Sequence, residues 1–245
     1  MANLFNSILY IPFFNLLVFL YNTVAFSDFG LAIILLTLIV RAVLSPLSIK
    51  TFRSQKIMAE LQPKVKEIQQ RLKNEPQKQT AEIMELYKKY NTNPFSGCLP
   101  LLIQLPILIA LYQVSIAGFE ENSLSVLYGF IKDPGFLNSI SFGFIDLTKR
   151  SVSLSLLAGA GQFIQSRLSV SFQKNQKDNP LSAMNRQMLY FFPLITIIIS
   201  MSFPAGLPLY WLATTAFSIF EQTYINRIKI NSDGKSAREA NLPDR

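Results

Sequence analysis

Long apolar runs almost free of charge, separated by short basic stretches, constrain this chain more than any other feature of its sequence. In lipid, a segment must satisfy its own backbone hydrogen bonds, and a single helix that does so needs about 20 mostly apolar residues to cross. Gly30–Ile49 meets that length and is interrupted only by Arg41. Gly97–Gly118 meets it with Pro100 and Pro106 inside, and Ser151–Val170 meets it while carrying Gln162, Gln165 and Arg167. Met188–Phe203 and Leu207–Tyr224 are two further runs, joined by Pro204-Ala205-Gly206. Half of the residues are hydrophobic and 16% are charged, against the quarter or so charged in a soluble domain. The expected fold is an all-α membrane protein with five transmembrane helices.

Several kinds of chemistry are closed to such a chain. It has no His and one Cys, Cys98, so neither an intrachain disulfide nor a His-ligated metal site is available. The Ser-His and Cys-His nucleophilic pairs are absent for the same reason. No Asp falls inside an expected span, which removes an aspartyl intramembrane protease. We expect no catalytic residue, no metal and no cofactor, and the chain does not read as an enzyme.

Orientation follows from the distribution of Lys and Arg, which favour cytoplasmic connections. The segment from Lys50 to Lys89 holds ten, Arg167–Arg186 holds four, and the chain after Tyr224 holds five. The opposite side holds only Lys132, Lys149 and Arg150. This places the N-terminus outside and the C-terminus in the cytoplasm, and the net charge of +8 is then mostly topological. The expected division is an outer-face interfacial helix over 1–27, a first span over 28–50 and a cytoplasmic helical hairpin over 51–92. A second span over 97–118 leads to an outer loop over 119–150. The third span, 151–170, a cytoplasmic loop, 171–187, and the fourth and fifth spans, 188–203 and 207–224, precede a cytoplasmic tail, 225–245. Residues 1–27 are apolar without a basic residue, and Pro12, Asn6 and Asn15 favour an amphipathic interfacial helix over a sixth span or an uncleaved signal.

Arg41 lies nine residues from Lys50, or roughly 13 Å at 1.5 Å per residue. An arginine at that depth costs on the order of 3 kcal/mol on insertion scales. No other expected span offers a carboxylate at matching depth, since Asp28 sits at an outer end and Glu221 near an inner one. A hydrated cavity or a transient partner is the remaining explanation. Gln104, Gln162, Gln165, Thr214 and Thr215 are positioned to line such a cavity, or to bond between helices. Trp211 follows the outer turn, where a Trp ordinarily anchors a helix at the interface.

The basic segment is of another kind. Met58, Leu61, Val65, Ile68 and Leu72 recur at spacings of three and four, the narrow seam of a helix that requires a partner. Asn74-Glu75-Pro76 breaks the pattern, and Ile83, Leu86, Tyr87 and Tyr90 resume it. Two helices packed as a hairpin are expected, either as a mere link between spans or as a docking arm. Its contact residues would be Met58, Leu61, Lys64, Lys66, Ile68, Arg71 and Lys73.

Taken in order, these residues resemble the YidC family of membrane protein insertases. The resemblance rests on Ile39-Val40-Arg41 with Pro46, on Gln62-Pro63 and Leu86-Tyr87-Lys88, and on Asn93-Pro94 with Gly97-Cys98-Leu99-Pro100. Ile103-Gln104-Leu105-Pro106-Ile107, Phe163-Ile164-Gln165 and Pro204-Ala205-Gly206-Leu207-Pro208-Leu209-Tyr210-Trp211 complete it. The chain departs from many members in carrying Thr214-Thr215 where they carry Ser-Asn. The resemblance implies five helices around a hydrophilic groove that faces the cytoplasm, in a short form without a large outer-side domain. By matched position Arg41, Gln104, Gln165 and Trp211 would be groove contacts; Gln162, Thr214 and Thr215 join them on physical grounds alone. The implied function is a membrane protein insertase and chaperone of the bacterial inner (plasma) membrane. It would move segments of nascent membrane proteins into the lipid bilayer, alone or with the Sec translocon. Ribosome and targeting factors stand as candidate partners, and no small-molecule substrate is implied. A solute transporter or an assembly scaffold would use the same polar residues, but no duplicated halves of the transporter kind are visible.

Overall fold

The structure is a computed structural model that describes residues 2–93, 99–117, 119, 123–170 and 180–227. The opening of the expected second span at Gly97-Cys98, part of the loop before the fourth span (171–179) and most of the tail (228–245) lie outside the described residues. The described chain is mostly helical, as its apolar periodicity requires. Ala2–Phe5 (α1), a π-helical turn at Asn6–Tyr10 and Ile11–Thr23 (α2) follow one another without a break. Phe29–Arg71 (α3) and Pro76–Lys89 (α4) come next, then Leu99–Ala117 (α5), Val152–Val170 (α6), Pro180–Ser202 (α7) and Gly206–Arg227 (α8).

Helix α3 is the frame. Asp28 caps it, its Oδ1 accepting from the Leu31 N–H at 2.9 Å, which satisfies one of the donors a helix start leaves free. The helix then continues for 43 residues. Nothing in the backbone marks the expected boundary at residue 50: Pro46 and Pro63 are both accommodated inside the helix. Among the described residues α3 alone has the full length and apolarity of a membrane span, while Leu102–Ile116 and Leu189–Ser202 are shorter apolar stretches.

At one end of α3 the chain folds back sharply. Phe26 and Ser27 take left-handed backbone angles, φ 52° and 59°, which side chains bearing a Cβ rarely adopt. The reversal lays α2 along α3, burying Phe14, Leu17, Val18, Leu20 and Tyr21 against Phe29, Ile33 and Leu36. The loop before α6 then covers this corner. Asn15 is 1% exposed; it donates to the Val126 carbonyl at 3.0 Å and accepts from the Tyr128 N–H at 2.6 Å. A two-stranded ribbon, β1 (Ile140–Ser141) and β2 (Ile145–Asp146), approaches so closely that the Gly30 N–H donates to Ser141 Oγ at 2.6 Å. A Cβ on Gly30 would stand 2.6 Å from that oxygen, so glycine is required there. The same loop holds the α7–α8 turn, where the Ala205 N–H donates to the Lys149 carbonyl at 2.8 Å.

Helix α8 lies between α3 and α6, and α6 packs along α7. The α6–α7 approach depends on Gly159, where an added Cβ would fall 2.2 Å from Ile197 Cγ1 and 3.3 Å from the Pro193 carbonyl. We expect Gly159→Ala to destabilise the protein by about 1–3 kcal/mol through overpacking, seen as a lower unfolding temperature in detergent. Adding Ile197→Ala should restore most of the loss.

Candidate functional site

Arg41 is the thirteenth residue of α3, inside its apolar first half, and is half-buried. No ion pair within 4.0 Å reaches it among the described residues. Its polar company comes from α8. Tyr210 and Glu221 are the titratable groups within electrostatic reach of its guanidinium. Helix α8 runs in the same direction as α3, since its start at Gly206 faces Ile33 while Glu221 accepts from Ser45 farther along. The two groups are separated by about 16 Å of helix, so Arg41 lies alongside α8 rather than against one side chain.

Each flank of the arginine carries a polar contact between helices. Toward the start of α8, Gln104 Nε2 on α5 donates to Tyr210 Oη, and Tyr210 is 3% exposed. Farther along, Ser45 Oγ donates to Glu221 Oε1 at 2.6 Å, while Glu221 Oε2 is buried without a partner. Thr214, Ser218 and Glu221 follow one another at spacings of four and three and are all buried, which makes a polar stripe on one face of an apolar helix.

The structure thus draws Gln104 and Thr214 toward the Arg41 face and treats the other expected residues differently. The Thr215 hydroxyl donates to the carbonyl of Trp211 on its own helix at 2.7 Å, and its methyl faces Gly161 of α6. It therefore serves helix packing. Trp211 is half-buried against the main core, and Gln162 and Gln165 stand half-buried on α6, which packs on α8 as well. Sequence reasoning missed Ser45 and Tyr210, and it set Glu221 aside as too near the inner end of its helix, whereas the packing brings Glu221 within electrostatic reach of Arg41. The four-three spacing from Thr214 was the available signal for Glu221, and the interval of four from Arg41 to Ser45 was the signal for Ser45. Neither means anything until α3 and α8 are known to face each other.

The second expected site lies where α4 folds back along the far half of α3. Leu61, Val65 and Tyr87 form a small core of their own, with Ile57, Met58, Ile83, Leu86 and Tyr90 around it. Leu61 and Ile68 are 4% and 7% exposed, so α4 itself occupies most of the seam. Lys64 stays exposed, donating to Tyr90 Oη at 2.5 Å with its ammonium 4.9 Å from that ring's centre. Arg71 pairs with Glu82. Lys73 is exposed and Lys66 half-buried, and basic side chains share the solvent face with Glu60, Glu67, Glu75 and Glu85.

With this geometry in view, the comparisons with known proteins are direct. A model of the 60Kd inner membrane protein family matches residues 19–233. The chain belongs to that family. Among similar proteins, one from Wolinella succinogenes is 35% identical over 243 residues, which is 95% of this chain but 40% of that protein. One from Fusobacterium nucleatum is 35% identical over 85% of this chain and 92% of its own length. One from Oceanobacillus iheyensis is 35% identical over 82% of this chain and 75% of its own length. All three carry the name membrane protein insertase YidC. The chain therefore spans less than half of some relatives and most of others. As a family member it is an all-α membrane protein, and the recognition made from its motifs agrees with these matches.

Burial pushes the Tyr87 hydroxyl above its ordinary value of 10.0. The folded hairpin holds this proton more tightly than the unfolded chain does, so the contribution is complete below pH 10 and is lost as pH rises through the folded value. We expect alkaline titration to loosen the α3–α4 contact in step with Tyr87 ionisation, followed by phenolate absorbance and proteolysis. Tyr87→Phe should remove that alkaline step.

Proposed function

We propose that this chain is a membrane protein insertase and chaperone of the bacterial inner membrane. It accepts a short polar segment of a nascent membrane protein at the Arg41 face and lets the adjoining apolar segment enter lipid. The observation that carries this reading is an arginine without an ion pair among the described residues, set in the long apolar stretch of α3 and flanked by the Gln104–Tyr210 and Ser45–Glu221 contacts. A guanidinium in that position lowers the cost of bringing an acidic or polar segment below the lipid headgroups. Membership of the family, and the names of its relatives, support the same reading.

In this proposal α3, α5, α6, α7 and α8 are the five spans, with the N-terminus outside and the C-terminus in the cytoplasm. Helix α2 and the 123–150 segment cover the outer end, and a hydrophilic groove opens to the cytoplasm. Arg41, Gln104, Thr214 and Trp211 line it, with Gln162 and Gln165 completing the wall toward α6. Passage is driven by partitioning of the apolar segment into lipid, and an acidic segment entering the groove is attracted by Arg41. No bond is made or broken, so the chain acts as a catalyst of transfer rather than as an enzyme. The α3–α4 hairpin, with Lys64, Lys66, Arg71 and Lys73 on its surface, is the arm that meets ribosome, targeting factors or the Sec translocon.

Two measurements test this. Arg41→Glu should slow insertion of substrates with acidic translocated segments by about tenfold, equivalent to ~1.4 kcal/mol, and spare neutral ones. Equal rates for both classes in that variant would refute charge attraction. Photocrosslinkers placed at Gln104, Gln165 and Trp211 should capture a stalled nascent membrane protein, and silence at all three would refute the groove.

A further inference from the structure

Glu221 is the only charged residue that is fully buried among the described residues, at 5% exposure. A carboxylate has room for about four hydrogen bonds, and among the described residues this one receives a single bond, from Ser45 Oγ at 2.6 Å. Its second oxygen is buried with no partner. Ser45 lies four residues beyond Arg41, so both project from the same face of α3 about one turn apart. Two opposite charges thus lie on facing helices, each short of partners and within electrostatic reach of the other, yet not in an ion pair within 4.0 Å.

A merely structural carboxylate would be better satisfied. Leaving one oxygen bare beside an unpaired guanidinium keeps the attraction real but incomplete, because charges in a weakly polar setting feel each other beyond contact range. Ser45 accounts for the distance, since its hydroxyl draws one carboxylate oxygen toward its own level of α3. Arg41 is then held back, yet remains available to a closer carboxylate.

We infer that Glu221 is a resident competitor for Arg41, against which the acidic segment of an incoming membrane protein must win. This rests on the groove reading above and adds a specificity element to it: Glu221 lowers the advantage that acidic segments would otherwise enjoy, so that neutral polar segments are served as well. Ser45 is the positioning residue that sets how strongly Glu221 competes.

The test uses the full chain in proteoliposomes and a single-span substrate whose translocated segment carries either two Asp or two Asn residues. Insertion is read by protease protection, as the ratio of acidic to neutral initial rates. Glu221→Gln keeps the shape and the Ser45 bond while removing the charge, and should raise that ratio at least about threefold, a modest change for one charge at this range. Ser45→Ala frees the carboxylate to approach Arg41 and should lower the ratio. In an Arg41→Gln background neither change should have an effect. A ratio unmoved or lowered by Glu221→Gln, or raised equally without Arg41, overturns the inference. Thermal unfolding of the two single variants and the double variant in detergent reads the pair without substrate. Non-additive shifts support the pairing and additive shifts overturn it, even if Arg41→Gln alone leaves every insertion rate unchanged and so refutes the groove reading itself.

Discussion

A guanidinium within an apolar stretch of helix must be given water or polar neighbours, and the packing of α3 on α8 is where this protein supplies them. Among the described residues no carboxylate pairs with Arg41, but α8 runs beside it with Tyr210 on one flank and Glu221 on the other. Each flank is tied to a second element, Tyr210 to Gln104 of α5 and Glu221 to Ser45 of α3. The polar stripe Thr214, Ser218, Glu221 has the same origin: an otherwise apolar helix turns these groups inward, where other polar groups can meet them.

This arrangement depends on α3 and α8 keeping their register, and the register is set at the other end of the helices. There the loop before α6 bonds to three separate pieces of chain: Asn15 of α2, Gly30 at the start of α3, and Ala205 in the turn before α8. Gly30 admits the ribbon, and Gly206 admits Ser115 of α5, whose Cβ would lie 3.3 Å from a Cβ added there. The end that carries these bonds is well packed around Phe14, Phe29 and Leu111, all at most 2% exposed. The Arg41 level is half-buried by comparison. Rigidity at one end and polarity farther along are two consequences of one packing scheme.

The hairpin obeys a different rule. It is a helix pair with a seam too narrow to do more than hold its two halves together, and α4 takes up Leu61 and Val65 through Tyr87 for that purpose. Its surface pairs are exposed and contribute little stability. What the hairpin presents outward is therefore mostly charge, with Met84 exposed among it. Because α3 continues without a break from the Arg41 level into the hairpin, anything that tilts the hairpin acts on the helix that carries Arg41.

Much of this was legible in the residues alone. The apolar runs, the break at Asn74-Glu75-Pro76 and the seam from Met58 to Leu72 depend on local periodicity, which the backbone must obey wherever the chain goes. Arg41 was recognisable as a costly charge for the same reason, and the ordered motifs from Arg41 to Trp211 carried the family. The course of α3 through residue 50 was not legible, because the fall in apolarity at Lys50 changes the side chains and not the backbone conformation. Nor were the roles of Thr214 and Thr215, neighbours in sequence that a helix turns about 100° apart, one toward the Arg41 face and one onto Gly161. Ser45 and Glu221 stand 176 positions apart, and no pattern along a chain can join groups that only helix packing brings together. The sequence by itself determined which segments are helical, which are apolar and where a charge is buried. The tertiary structure alone decided which side chains meet that charge, because the partners of a buried group are chosen by the register between helices.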